Sequence, residues 1–192
     1  MSKTRLEAFS DGVIAILITS LVRELKIPHG DHLDALRPVV PALASYVMSF
    51  VYLGIYWNNH HHMLHTVDRV NGRILWTNLH LLFWLSLVPF VTGWMGENHF
   101  ASLPTAIYGV VLLMSALSYT LLQRTIVASQ GPDSTLGAAV GGDRKGKISL
   151  ALYVTAIGVA FLERWLSIGL YALVVVIWFV PDRRIESKLE AS

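Results

Sequence analysis

The run best suited to chemistry is His60-His61-His62-Met63-Leu64-His65, because imidazoles repeated at helical spacing can share a metal ion. His61 and His65 stand one helical turn apart, and the pair His62 and His65 is also compatible with joint ligation. A zinc enzyme would add a carboxylate base, for which only Asp68 is near. A membrane di-iron oxygenase would need several such boxes, yet His29, His32, His80 and His99 are isolated, and His80 has no obvious mate for a haem. Hydrogen-bonded histidines close to a membrane interface fit the spacing better than a metalloenzyme. The chain has no cysteine and no G-x-S-x-G, which leaves acyl chemistry, thiolate metal sites, Fe–S clusters and disulfides without support.

The second concentration of functional groups lies at the N-terminus, in Arg5-Leu6-Glu7-Ala8-Phe9-Ser10-Asp11-Gly12 and the segment after it. Arg5, Asp11, Arg23 and Glu24 flank an uncharged stretch, 13–22, that also holds Thr19 and Ser20. An ionisable residue at the centre of a membrane span costs ~2.5–3.5 kcal/mol and usually faces protein or water, so this helix belongs inside an assembly. Gly12, Ile16, Thr19 and Arg23 recur at i, i+4, i+7 and i+11, one stripe of a 3.6-residue helix. A stripe mixing a branched apolar residue, a hydroxyl and a charge suits a narrow water path. The competing account has Thr19 and Ser20 bonding carbonyls of the preceding turn and Arg23 snorkelling to the interface, and spacing alone leaves the two even. Lower on the helix, Arg5 can pair with Asp11. Ser10 or Asp11 can accept from Trp57, His60, His61 or Asn78 on the next two helices.

These groups sit in a chain of 192 residues that is 54% hydrophobic and 15% charged, with a mean hydropathy of +0.52. Soluble domains carry about 25% charged residues, so a soluble enzyme is excluded. The formal charge of +2 is too small to indicate a nucleic-acid partner. Breakers and charges delimit six helices, about 4–25, 37–58, 73–96, 105–127, 147–163 and 164–181, in one domain spanning 1–192. The expected fold class is therefore an all-α integral membrane protein with six transmembrane helices. Glu7 and Asp11 fall where the apolar region of a signal peptide would lie, so the first helix is expected to be retained. The only long connection, 128–146, is rich in Gly, Ser and Asp, and Glu163-Arg164 reads as a tight turn between antiparallel neighbours. Counted by side, eleven basic residues (Lys3, Arg5, Arg69, Arg73, Arg124, Arg144, Lys145, Lys147, Arg183, Arg184 and Lys188) oppose four (Arg23, Lys26, Arg37 and Arg164). The positive-inside rule then places both termini in the cytoplasm. Trp94, Phe100, Trp165, Tyr171, Trp178 and Phe179 read as an interfacial aromatic belt. A secondary transporter would call for inverted repeats or helices broken at the midplane, and the continuous stretch of helix one argues against it.

The N-terminal run resembles the R-x-x-x-F-S-D-G signature of the transmembrane protein 175 family, potassium channels of endosomes and lysosomes with prokaryotic relatives. Tyr56-Trp57-Asn58-Asn59-His60-His61 is similar to that family's Y-W-x-x-H-H, and Asn78 followed by Pro89-Phe90-Val91-Thr92 is similar to its N…P-F-x-T. Helices four to six match only in hydropathy and length. The resemblance implies a potassium-permeable cation channel, with protons as a second permeant ion, no cofactor and no enzymatic activity. A single repeat with one signature implies a homotetramer in a prokaryotic plasma membrane. It further implies that helix one lines the pore, that Ile16 forms its constriction and that Thr19 bears on selectivity. Arg5, Phe9, Ser10, Asp11, Trp57, His60, His61 and Asn78 would form a network that positions the helix. Arg23 departs from the family, which usually has a leucine-like residue there; unless it pairs with Glu24 or another outer acid, or turns away, it would repel cations. No T-V-G-Y-G carbonyl filter occurs, so a hydrophobic constriction would have to take its place.

Overall fold

The computed structural model describes residues 2–67, 69–131, 134, 136–137 and 144–179. Among the described residues seven α-helices form six rods: α1 (Lys3–Leu21), α2 (Val40–His65), α3 (Gly72–Ser86) continued by α4 (Val88–Glu97), α5 (Ser102–Gln130), α6 (Arg144–Val159) and α7 (Arg164–Phe179); a 3-10 turn, Val22–Glu24, follows α1 and another, Leu33–Val39, leads into α2. All the described regular structure is helical, as the hydropathy pattern requires. Three rods, Leu33–His65, Gly72–Glu97 and Ser102–Gln130, are long and apolar enough to cross a membrane by length and composition alone, and α7 is a shorter apolar helix. At 1.5 Å per residue the 19 residues of α1 still extend about 28 Å.

Local sequence accounts for the ends and breaks. The third rod is interrupted at Leu87, because Pro89 in the first turn of α4 has no N–H to continue the ladder; Leu87 N bonds Trp84 O at 3.2 Å instead. Asn71 caps α3 by accepting from Ile74 N at 3.0 Å. The turn between α4 and α5 puts His99 and Phe100 at φ of 48° and 58°, held by packing of the buried Phe100 ring against Trp165 at 5.6 Å. The sharp reversal at Glu163 is present, with Glu163 N on Val159 O at 2.8 Å and Glu163 Oε1 accepting from Trp165 N at 3.1 Å. Helix two, expected to end near residue 58, continues to His65. Asn59 bonds back to Ile55 O at 2.8 Å and His60 is buried, so neither polar residue ends the helix.

Contacts between the rods set which ends lie together. Lys3 Nζ donates to His65 O at 2.5 Å, and Asn78 near the start of α3 meets Ser10 on α1. At the opposite end, Lys26 pairs with Glu97 at 2.5 Å and Phe100 packs on Trp165. Trp178, near the end of α7, donates to Ser149, near the start of α6, so those two helices are antiparallel. Among the described residues, Lys3, Arg5, Arg69, Arg73, Arg124, Arg144, Lys145 and Lys147 thus group at the end holding the N-terminus, and Arg23, Lys26, Arg37 and Arg164 at the other. Arg183, Arg184, Lys188 and Asp68 lie outside the described residues.

Inside a bilayer, helices gain little from hydrophobic association and are joined by close packing and interhelical hydrogen bonds. Both occur here. Ser49 on α2 bonds Thr92 on α4 at 2.7 Å and Tyr108 on α5 at 3.0 Å. Tyr52 donates to Tyr171 O at 2.7 Å, and Tyr171 in turn donates to Thr105 O at 3.1 Å. Tyr171, expected in the aromatic belt, is fully buried: its ring lies over Gly109, where a side chain would collide with the phenol.

Candidate functional site

Helix α1 packs against α2, α3 and α4 through Leu6, Ser10, Ile14, Leu17 and Leu21, an i, i+4, i+8, i+11, i+15 face that is buried. The other side of the same helix is open. Arg5, Phe9, Gly12, Ile16, Thr19 and Arg23 are all exposed, Phe9 at 49% and Ile16 at 64%, so the stripe read from the spacing extends downward to Arg5. Thr19 bonds back to the preceding turn, as the second account has it. Its hydroxyl donates to Ala15 O at 3.1 Å and Ile16 O at 3.0 Å, and the residue stays on the open face.

The polar signature residues are divided between the two faces. Trp57 Nε1 donates to Asp11 Oδ1 at 3.1 Å. Asn78 donates through Nδ2 to Ser10 Oγ at 2.9 Å, and its Oδ1 lies 2.7 Å from His60 Nε2. Because the amide oxygen can only accept, His60 is the donor there; its Nδ1 is buried with no partner among the described residues. Ser10, His60 and Asn78 are each at most 1% exposed and join α1, α2 and α3 at one level. This is a fully enclosed polar clasp that ties α1 to α2 and α3.

Two expectations are corrected by the geometry, and one that the sequence left open is narrowed. Arg5 and Asp11 form no ion pair. Six residues apart, they lie on different sides of α1, whereas only i, i+3 and i, i+4 residues are neighbours on a helix. His61 is not part of the clasp; it is exposed and its ring contacts Trp57 at 6.3 Å, His62 at 5.6 Å and His65 at 6.4 Å. Arg23 has no ion-pair partner among the described residues; three acids at that end pair with other residues, and Glu24 is turned toward α4. Lys26 takes Glu97, His32 takes Asp31, Arg37 takes Asp34 at 3.0 Å, and Glu24 folds against Gly93 of α4. Arg23 therefore stands free in the turn Val22–Glu24, directly above Thr19 on the open stripe.

No three His, Asp or Glu residues among those described converge as a metal-binding set. Sequence reasoning missed two glycines of α4 that, like Gly109, admit a neighbouring helix: Gly93 lies against the Glu24 carboxylate, and Gly96 lies where an added Cβ would stand 2.7 Å from Ala42 Cα. Their spacing in Thr92-Gly93-Trp94-Met95-Gly96 was the available signal, since small residues let membrane helices approach.

Comparison with known proteins bears on this arrangement. Residues 5–89 match the family model described as endosomal/lysosomal potassium channel TMEM175. A potassium channel of Chryseobacterium sp. (strain P1-3) is 52% identical over 190 residues, covering 99% of both chains. One from Streptomyces collinus is 31% identical over 185 residues, 90% of this chain and 89% of the relative. The crystal structure of a lysosomal potassium-selective channel TMEM175 homologue from Chamaesiphon minutus superposes with a TM-score of 0.81 at 26% identity, covering 94% of this chain and 97% of that one.

Proposed function

This chain belongs to the TMEM175 potassium channel family, and on that premise we propose that four copies assemble around α1 into a potassium-permeable pore. The family is one of channels rather than enzymes, its members are multi-pass membrane proteins, and the full-length bacterial relatives suit a plasma-membrane location. The observation that carries the pore reading is the open stripe of α1. A helix enclosed by three others presents Arg5, Thr19 and Arg23 on its one uncovered side, and a lipid-facing surface would be a costly place for those side chains. Turned toward three symmetry mates, the same stripe lines a water path.

In this arrangement Ile16 forms a ring of branched apolar side chains at the narrowest level. Such a ring closes a pore by dewetting and admits an ion only as it sheds part of its water. Thr19, one turn above, offers hydroxyl lone pairs to the partly dehydrated cation. Arg23 forms the outer mouth. The clasp of Ser10, Asn78 and His60, with Trp57 on Asp11, fixes the rotation of α1 so that these residues and not Leu17 face the axis. The end bearing Lys3 and Arg5 is cytoplasmic by its excess of basic residues. Potassium, with protons as a second ion, passes down its gradient, and no cofactor takes part.

The absence of cysteine makes a direct test simple, since Ile16→Cys supplies the sole thiol. Purified protein in planar bilayers, with potassium on one side and sodium on the other, should give a reversal potential displaced toward that of potassium. A cationic thiol reagent should then block the Ile16→Cys current and leave the wild type untouched. A reactive thiol with unaltered current would remove α1 from the pore, and a reversal potential at zero would remove the potassium preference. The mass of the protein released intact from nanodiscs reads the subunit number.

A further inference from the structure

A second concave feature lies away from α1, between α2, α5, α6 and α7. It is a cleft of about 50 Å³ whose walls are aromatic: Tyr52 and Tyr56 from α2, Tyr119 from α5, Tyr153 from α6 and Trp178 from α7. The polar side chains beside them are turned into the protein. Asn59 donates to Ile55 O, Thr120 to Ala116 O at 2.9 Å, and Ser149 to Lys145 O at 2.8 Å while accepting from Trp178. Tyr52 and Tyr153 are buried at its floor, whereas Tyr56, Tyr119 and Trp178 are only half-buried, so the cleft opens sideways to the perimeter of the bundle. Among the described residues, no acid lines it.

Basic residues flank one end of the cleft. Arg124 lies one turn beyond Thr120, and Lys145 one turn before Ser149 in the antiparallel α6, so both stand at the end holding the N-terminus. Lys147 flanks them, and it and Arg124 are exposed with no ion-pair partner among the described residues. The depth is also telling. From Arg124 to Ala116, and from Lys145 to Tyr153, is eight residues of helix, about 12 Å. One leaflet of a hydrocarbon core ~30 Å thick is about 15 Å deep. A basic collar at one end, an apolar aromatic wall below it and a depth of one leaflet describe the outline of a single lipid.

We propose that this cleft is a binding site for an anionic phospholipid of the leaflet at the N-terminal end. One acyl chain runs along the open side of the cleft and seats a short segment between the tyrosines and Trp178, and the headgroup phosphate meets Arg124, Lys145 and Lys147. Basic residues between membrane helices at a leaflet surface attract acidic headgroups by about fivefold each, while the aromatic wall supplies the contact for the tail. The inference rests on this cleft alone and not on the pore assignment.

Lipid retention, read by native mass spectrometry of the assembled protein, tests it without any current measurement. The protein is released from nanodiscs of equal parts phosphatidylglycerol and phosphatidylcholine. The wild type should keep phosphatidylglycerol preferentially, about one per chain. Arg124→Gln with Lys147→Gln, both on exposed positions, should lower that preference about 25-fold. Ala116→Phe, which fills the cleft and leaves every basic residue in place, should remove the retained lipid. Equal retention of the two lipids by the wild type would overturn the proposal. So would full retention in the Ala116→Phe protein, which would mean that surface charge alone holds the lipid. A change of subunit number in Ala116→Phe, in place of lost lipid, would assign the cleft to a neighbouring copy. Should Ala116→Phe fail to fold, the charge variant and the wild-type preference decide the matter between them.

Discussion

Replacing Asn78 by Ala tests the clasp that orients α1. Asn78 serves two partners at once, donating to Ser10 Oγ at 2.9 Å and accepting from His60 Nε2 at 2.7 Å. Its loss leaves both partners in sites at most 1% exposed, where water cannot replace it, and His60 already has an unpaired Nδ1. An orphaned buried polar group costs ~1–3 kcal/mol in soluble proteins. Interhelical bonds in membranes average only ~0.6 kcal/mol with a maximum of ~1.7, because the separated helices also find partners. Two bonds and a small void therefore place the expected loss at about 2–3 kcal/mol per chain. Ser10→Ala alone removes one bond and should cost about 1 kcal/mol. In the Asn78→Ala background the same change should cost almost nothing, since Ser10 has already lost its partner. Equilibrium unfolding in mixed micelles, followed by helical circular dichroism, measures all four corners of this cycle. Strictly additive losses, or an Asn78→Ala protein within about 0.5 kcal/mol of the wild type, would show that the three residues do not act as a unit.

Other expectations follow from single contacts. Ile16→Asn should wet the constriction, raising current and lowering the preference for potassium over sodium in bilayer recordings; a folded variant with unchanged current and selectivity would take Ile16 out of the filter. Arg23 stands seven residues above Ile16, roughly 10 Å along the helix, so Arg23→Leu should raise potassium conductance and reduce its dependence on ionic strength, because exposed charges are screened over ~8 Å in physiological salt. Identical recordings at low and high salt would turn Arg23 away from the axis. Gly96→Ala should cost about 1–3 kcal/mol through overpacking, since the new methyl meets backbone of Ala42 at 2.7 Å. Gly93→Ala should cost less, because the group in its way is the flexible end of Glu24, and thermal melts of the two proteins should rank accordingly.

Much of the design is visible in one dimension because a bilayer imposes it locally. Backbone groups must be satisfied within each span, so apolar runs between charges mark the rods, and basic residues sort to one end as the sequence pattern requires. The inward and outward faces of α1 follow from helical period. Ser10 on the buried face and Ile16 on the open one could be assigned by counting.

Pairings across helices followed a different logic. Arg5 and Asp11 look like natural partners in sequence, yet the helix separates their directions, and Asp11 finds the Trp57 indole 46 positions away. The acids near Arg23 have better partners in Lys26, His32 and Arg37 or beside a glycine, which leaves the arginine alone. Tyr171 has the composition of a belt residue, but three helices close around it.

The amino-acid sequence by itself determined the six rods, the grouping of their ends and the stripe of α1, because each depends on chain period and on transfer from water to lipid. Only the tertiary structure decided which polar groups meet, that Arg23 has no ion-pair partner among the described residues, and where α2, α5, α6 and α7 leave a cleft. Those outcomes depend on rotation and close approach between rods, which depend on small residues and single hydrogen bonds far apart in the chain.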